Sequence, residues 1–126
     1  MIEENRKLLL QDLCARLPYG VKCQFEDTIE IIKEIWFCED DSWQVDGEKT
    51  STCIYAVKPY LFPFSSMTEE QKEEYCSLQQ KVIYNSKGLI NSDVMEYVNW
   101  CYKNHIDINN LIPMGLANDA TGLNIY

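Results

Sequence analysis

Lys58-Pro59-Tyr60-Leu61-Phe62-Pro63-Phe64-Ser65-Ser66-Met67-Thr68-Glu69-Glu70-Gln71 takes the chain from strand grammar to helix grammar within fourteen residues. Before this stretch the apolar residues tend to alternate; after it they recur at three and four. Pro59 and Pro63 supply no amide donor and hold the residues before them out of the helical region. The segment therefore predicts a chain that leaves its sheet at Lys58 and is not helical through Phe62. Thr68 with Gln71, or Ser66 with Glu69, predicts a capping box that starts the next helix.

Upstream, Leu10, Leu13, Cys14 and Leu17 share one stripe of a helix expected over about Glu3 to Leu17, closed by Pro18 and Gly20. The pattern then becomes two-fold. Val21, Cys23 and Phe25 face one way, a turn falls at Glu26-Asp27, and Ile29, Ile31, Ile35 and Phe37 continue with Lys33 as an intruder, which predicts two antiparallel strands. The second is apolar on both faces around Ile35 to Cys38, as a central strand would be. Trp43 to Val45 predicts a short strand, Asp46-Gly47 a type I′ hairpin, and residues 48 to 57 the returning strand.

Downstream, Tyr75, Leu78, Gln79 and Val82 mark a helix from Thr68 to about Tyr84, broken by Asn85-Ser86-Lys87-Gly88. A further helix starts at Asn91 or Ser92, has Asp93 in its first turn, and carries Val94, Val98, Cys101, Tyr102 and His105 on a stripe that Tyr97 and Trp100 widen. From Ile108 to Tyr126 the one charged side chain is Asp119. So apolar a tail is expected to dock, with turns at Gly115 and Gly122. The fold class predicted is α+β: an N-terminal helix, a four-stranded antiparallel meander forming a twisted sheet or small SH3-like barrel, two C-terminal helices and a docked tail. All of 1–126 is expected to form a single domain.

The 126 residues are 46% hydrophobic and 25% charged, with a formal net charge of −9. Such a surface repels phosphates and anionic lipid, which argues against direct nucleic-acid or membrane binding. The acidity lies early: residues 1–48 hold twelve carboxylates against five basic side chains. The apolar stretch after Lys7 is too short for a secretory signal, so a cytoplasmic location is expected. Cys14, Cys23, Cys38, Cys53, Cys76 and Cys101 form no close pair, and each fills an apolar slot of its local pattern. They read as reduced, mostly buried thiols rather than disulfides or zinc ligands.

At three places the chain resembles a group of small uncharacterised proteins from gut anaerobes of the Bacteroides type, often carried on phages and mobile elements. The matching stretches are Leu13-Cys14-Ala15-Arg16-Leu17-Pro18-Tyr19-Gly20-Val21-Lys22, then Lys58 to Gln71, then Leu111-Ile112-Pro113-Met114-Gly115-Leu116-Ala117 with Tyr126. The resemblance implies a cytoplasmic setting in a bacterium or phage and brings no activity with it.

No residue is assigned a catalytic role, and no cofactor or metal is expected. His105 is the single histidine. It reads as a cation complementing a helix end or as a half-buried aromatic, and no glycine loop that could stabilise an oxyanion accompanies a pairing with Cys14 or Cys101. Glu39, Asp40, Asp41, Asp46 and Glu48 form an acidic face that lacks the alternating spacing of a calcium loop. Tyr60, Phe62 and Phe64, with Tyr19, either clamp helices to the sheet or line an aromatic groove for a protein partner. The sequence thus predicts a small non-catalytic protein-interaction module. The alternative is an acidic inhibitor that mimics nucleic acid and blocks a host enzyme, and a hydrolase ranks third.

Overall fold

The computed structural model describes residues 2–39, 42–84 and 91–126. Helix α1 (Glu3–Arg16) opens with Glu3 and Glu4 against the positive end of its dipole and runs into a 3-10 turn at Leu17–Tyr19, which Gly20 closes in the left-handed region at φ 69°. Its buried face is Leu9, Asp12, Leu13 and Arg16. The expected stripe is thus rotated: Leu10 and Leu17 are only half-buried and Cys14 is exposed. The cause is an ion pair inside the core, which hydrophobic periodicity reads as surface.

That pair ties three elements together. Arg16 Nε donates to Asp12 Oδ2 at 2.7 Å, with both side chains fully buried, and Arg16 Nη2 donates to the carbonyl of Ile106 at 2.7 Å. The guanidinium lies 4.9 Å from the centre of the Tyr102 ring, and Asn109 Nδ2 donates to Asp12 Oδ1 at 2.9 Å.

The strands form two sheets rather than one four-stranded meander, and no barrel closes among the described residues. One sheet contains β1 (Lys22–Phe25), β2 (Thr28–Ile31), β6 (Lys58–Leu61) and β7 (Asn118–Asp119), in the order β2-β1-β6-β7. The other contains β3 (Glu34–Phe37), β4 (Trp43–Asp46) and β5 (Ser51–Cys53) in chain order. The α+β class stands. The expected long second strand is β2 and β3, separated at Ile32-Lys33. Lys33 N donates to the carbonyl of Asp46 at 2.8 Å although Glu34 is the residue opposite Asp46, so two residues face one and the strand bends at a bulge. The centre of the larger sheet is accordingly β1 with β6, and β3 is an edge strand.

Asp46-Gly47 is not a two-residue I′ turn. The connection runs from Gly47 to Thr50, closed by Gly47 N to Thr50 O at 2.7 Å, and Gly47 does not have a positive φ. Glycine is required for another reason: a Cβ there would lie 2.7 Å from Glu30 Oε1 and 2.9 Å from the Phe25 ring. The returning strand ends at Cys53, where Ile54–Ala56 turns.

The chain does not leave the sheet at Lys58 but stays in it to Leu61. Lys58 and Pro59 pair with Gln24 and Cys23 of β1, then Tyr60 and Leu61 pair in parallel with Asn118 and Asp119. Proline fits because the strand changes partner beside it. Beyond it, Phe62 N donates to the carbonyl of His105 at 2.8 Å and the Phe62 carbonyl accepts from Asp107 N at 2.9 Å.

Thr68 and Gln71 form the expected capping box: Thr68 N to Gln71 Oε1 is 3.0 Å and Gln71 N to Thr68 Oγ1 is 3.1 Å. It opens α2 (Glu69–Tyr84), and α3 is Asn91–Lys103. The break expected at 85–88 lies outside the described residues. The tail docks as expected, with Leu111, Leu116, Ala117 and Ala120 buried and turns at Gly115 and Gly122. The Asp107 carboxylate holds its first turn by accepting Leu111 N at 2.7 Å and Ile112 N at 2.9 Å. No described helix is long and apolar enough to cross a membrane.

Candidate functional site

A groove of about 730 Å³ runs along the α2–α3 hairpin. Helical spacing builds it. Glu74, Ser77, Leu78 and Lys81 of α2 and Glu96, Asn99, Trp100 and Lys103 of α3 each recur at i, i+3, i+4, i+7, so each set shares one face. Tyr19, presented by the turn after α1, joins them. Glu74 lies opposite Trp100 and Lys81 opposite Glu96, so the helices are antiparallel: Trp100 Nε1 donates to Glu74 Oε2 at 2.8 Å, and Lys81 Nζ stands 3.6 Å from Glu96 Oε1. Leu78 is buried and Trp100 half-buried, which gives the groove an apolar floor.

Aromatic contacts fix the hairpin. Tyr75 meets Phe64 at 5.4 Å, Tyr97 at 5.6 Å and Trp100 at 6.0 Å between ring centres, and the Tyr75 and Tyr97 hydroxyls are hydrogen-bonded at 2.9 Å. Burial, and then that bond, push the Tyr97 phenol up.

Of the four aromatics read as either a clamp or a groove for a partner, the structure brings Tyr19 to the groove and Phe64 to the aromatic cluster beside it. Tyr60 and Phe62 lie elsewhere. Tyr60 is buried and its carbonyl accepts from the Tyr126 hydroxyl at 2.8 Å, while the half-buried Phe62 ring packs 5.8 Å from the ring of Tyr126. Trp100, the indole of the groove floor, was legible only as a residue that widens a helical stripe.

The acidic face is described only in part. Glu39 is exposed; Asp40 and Asp41 lie outside the described residues. Asp46 accepts from Trp36 Nε1 at 3.0 Å and from the Ser51 hydroxyl, and Glu48 accepts Ile31 N at 3.2 Å. The carboxylate that organises this region is Glu30, one of the twelve counted in residues 1–48. It is buried and accepts from the Thr28 and Thr50 hydroxyls and from the amides of Lys49 and Thr50. These bonds, led by that of Thr28, hold its carboxyl down at about 2.

His105 stands just past α3 in the left-handed region at φ 59°, its ring stacked on Tyr126 at 3.8 Å. Burial, then the charges of Arg16 and Lys22, lower its pKa to about 4. At neutral pH it is therefore an uncharged aromatic and not a cation for the helix end. Burial raises the thiol of Cys14 and pushes that of Cys101 up to about 11, which opposes the thiolate that a Cys-His nucleophile requires. All six cysteines are free. The expectation that they are mostly buried does not hold: Cys23 and Cys101 are buried, Cys38 and Cys53 half-buried, and Cys14 and Cys76 exposed because the helix faces that carry them turn outward. Among the described residues no three His, Cys, Asp or Glu side chains gather in a way that could hold a metal ion.

Comparison with models of protein families, with curated proteins and with solved structures finds no match to this chain.

Proposed function

We propose that this protein is a small non-catalytic interaction module of the cytoplasm, which receives an amphipathic helical segment of a partner protein in the groove between α2 and α3. The observation that carries this reading is the make-up of the groove: an apolar floor at Leu78 and Trp100 with a rim that mixes Glu73, Glu74 and Glu96 with Lys81 and Lys103. Two antiparallel helices that offer ridges at i, i+3, i+4, i+7 form the natural seat for a third helix. Mixed charge suits a partner segment carrying both signs. Mimicry of nucleic acid instead needs one continuous negative face, and Asp46 and Glu48 are hydrogen-bonded to residues of the protein's own strands.

The test uses peptides selected from a displayed library against the folded protein and mapped by amide chemical shifts. Selected binders should be helical, and their footprint should cover Ser77, Leu78, Asn99 and Lys103. Ser77→Arg, which fills the groove from an exposed position, should abolish binding while leaving the fold intact. Selection of extended rather than helical binders, or a footprint on another face, would overturn the proposal.

A further inference from the structure

The β3-β4-β5 sheet has a free edge at β3, and none of its residues lines the groove. The bond from Cys38 N to the carbonyl of Ser42, 2.7 Å, sets the phase of the β3–β4 ladder. Opposed residues alternate between bonded and non-bonded pairs, so Trp36 with Gln44 and Glu34 with Asp46 are the bonded ones. The N–H and C=O groups of Ile35 and Phe37 consequently point away from β4, towards the open edge. The β2 edge is treated differently: its outward amide at Ile31 is covered by the Glu48 carboxylate. No described strand or side chain covers β3 in this way.

An uncovered edge is usually blunted by proline, lysine or a very short strand. The rim of β3 is instead apolar. Trp36 is 41% exposed, Phe37 52% and Trp43 37%, and the Phe37 and Trp43 rings meet at 5.1 Å across the two strands.

We propose that a second copy of this chain pairs with β3, antiparallel about a two-fold axis at Trp36, to make one continuous six-stranded sheet. The register follows from the groups that face outward. Ile35 exchanges backbone hydrogen bonds with Phe37 of the second copy, Trp36 lies opposite its counterpart, and beyond this short ladder the long side chain of the exposed Lys33, at the bulge, reaches towards the exposed Glu39 of the second copy. The axis generates each contact twice. Shifting the register by two residues in either direction loses the charge pair and shortens the ladder. The −9 charge of each copy opposes association, but beyond about 8 Å it is screened at physiological ionic strength.

Sedimentation of the full chain over a range of concentrations tests this inference. The wild type should show a reversible monomer–dimer equilibrium. Phe37→Pro removes an N–H that β4 does not use and should leave a folded monomer. Lys33→Glu brings like charges together and should weaken the dimer about tenfold, and Lys33→Glu with Glu39→Lys should restore it. If Phe37→Pro fails to fold, the charge reversal and its rescue decide the matter. A wild type that stays monomeric at every concentration, or a dimer indifferent to Lys33→Glu, overturns the proposal, as does a monomer whose β3 edge takes up only an extended peptide. Ser77→Arg lies on another face and should leave the dimer unchanged, so the two proposals fail separately.

Discussion

Arg16 and Asp12 form an ion pair at 2.7 Å, with neither side chain in contact with solvent. Desolvating two charges costs several kcal/mol per ion, and here the cost is offset by mutual attraction, the Ile106 carbonyl, Asn109 and the face of Tyr102. The pair joins α1 to the stretch after α3. Arg16→Met should therefore lower stability by about 3–5 kcal/mol, because Asp12 would remain buried with Asn109 alone. Asp12→Leu combined with Arg16→Met should cost less than Arg16→Met by itself. Urea denaturation of the three proteins checks the order, and equal midpoints for wild type and Arg16→Met would show that the pair is not held in the core.

Gly47 is constrained by its neighbours and not by its backbone angles. Gly47→Ala places a methyl carbon against a carboxylate fixed by four hydrogen bonds and against the buried Phe25 ring, so at least one must shift. The expected loss is about 1–3 kcal/mol by chemical denaturation. If the tight approach of Glu30 is the cause, Gly47→Ala in a Glu30→Ala background should cost clearly less.

The parts of this fold that were legible in the sequence are those decided locally. The Thr68–Gln71 box, the spacing of α2 and α3, and the turns at Gly20, Gly115 and Gly122 each follow from residues a few positions apart. What was not legible depends on distant partners. The bulge at Lys33 exists because Asp46 lies opposite it, and β6 remains a strand through Pro59 because β1 flanks it on one side and β7, almost sixty residues later, takes over on the other. Local pattern also misleads where a core uses charge or an edge uses aromatics: α1 was turned by its buried pair, and Trp36 and Phe37 mimic a central strand. Of the groove, Tyr19 was legible beside its proline. The facing of Glu74 on Trp100 was not.

Glu30 gives the protein an acid limb at low pH. Its carboxyl is held down at about 2 by hydrogen bonds led by that from Thr28, so the folded state binds this proton less readily than the unfolded chain. Its stabilisation is complete above about pH 4.5 and is lost as pH falls towards about 2. Glu30→Gln should flatten the dependence of Tm on pH across that window. A profile parallel to wild type there would remove Glu30 as its source.

His105 acts in a higher window, which makes the two groups separable. Burial, then Arg16 and Lys22, hold its pKa at about 4 against an ordinary 6.5, so the folded protein favours the neutral ring. Its stabilisation is full above about pH 6.5 and declines as pH falls to about 4. Protonation also sets a cation beside Arg16 and Lys22 in a ring stack with Tyr126, whose hydroxyl joins Lys22 N to the Tyr60 carbonyl. Loosening of the tail should therefore accompany the loss, visible as faster amide exchange at residues 123–126 before the core exchanges. His105→Asn removes the titrating group and keeps a residue that tolerates the left-handed backbone at φ 59°. The variant should start less stable at neutral pH, lacking the stack, and change little between pH 6.5 and 4. If it loses stability over that interval as steeply as the wild type, the acid response there belongs to another group.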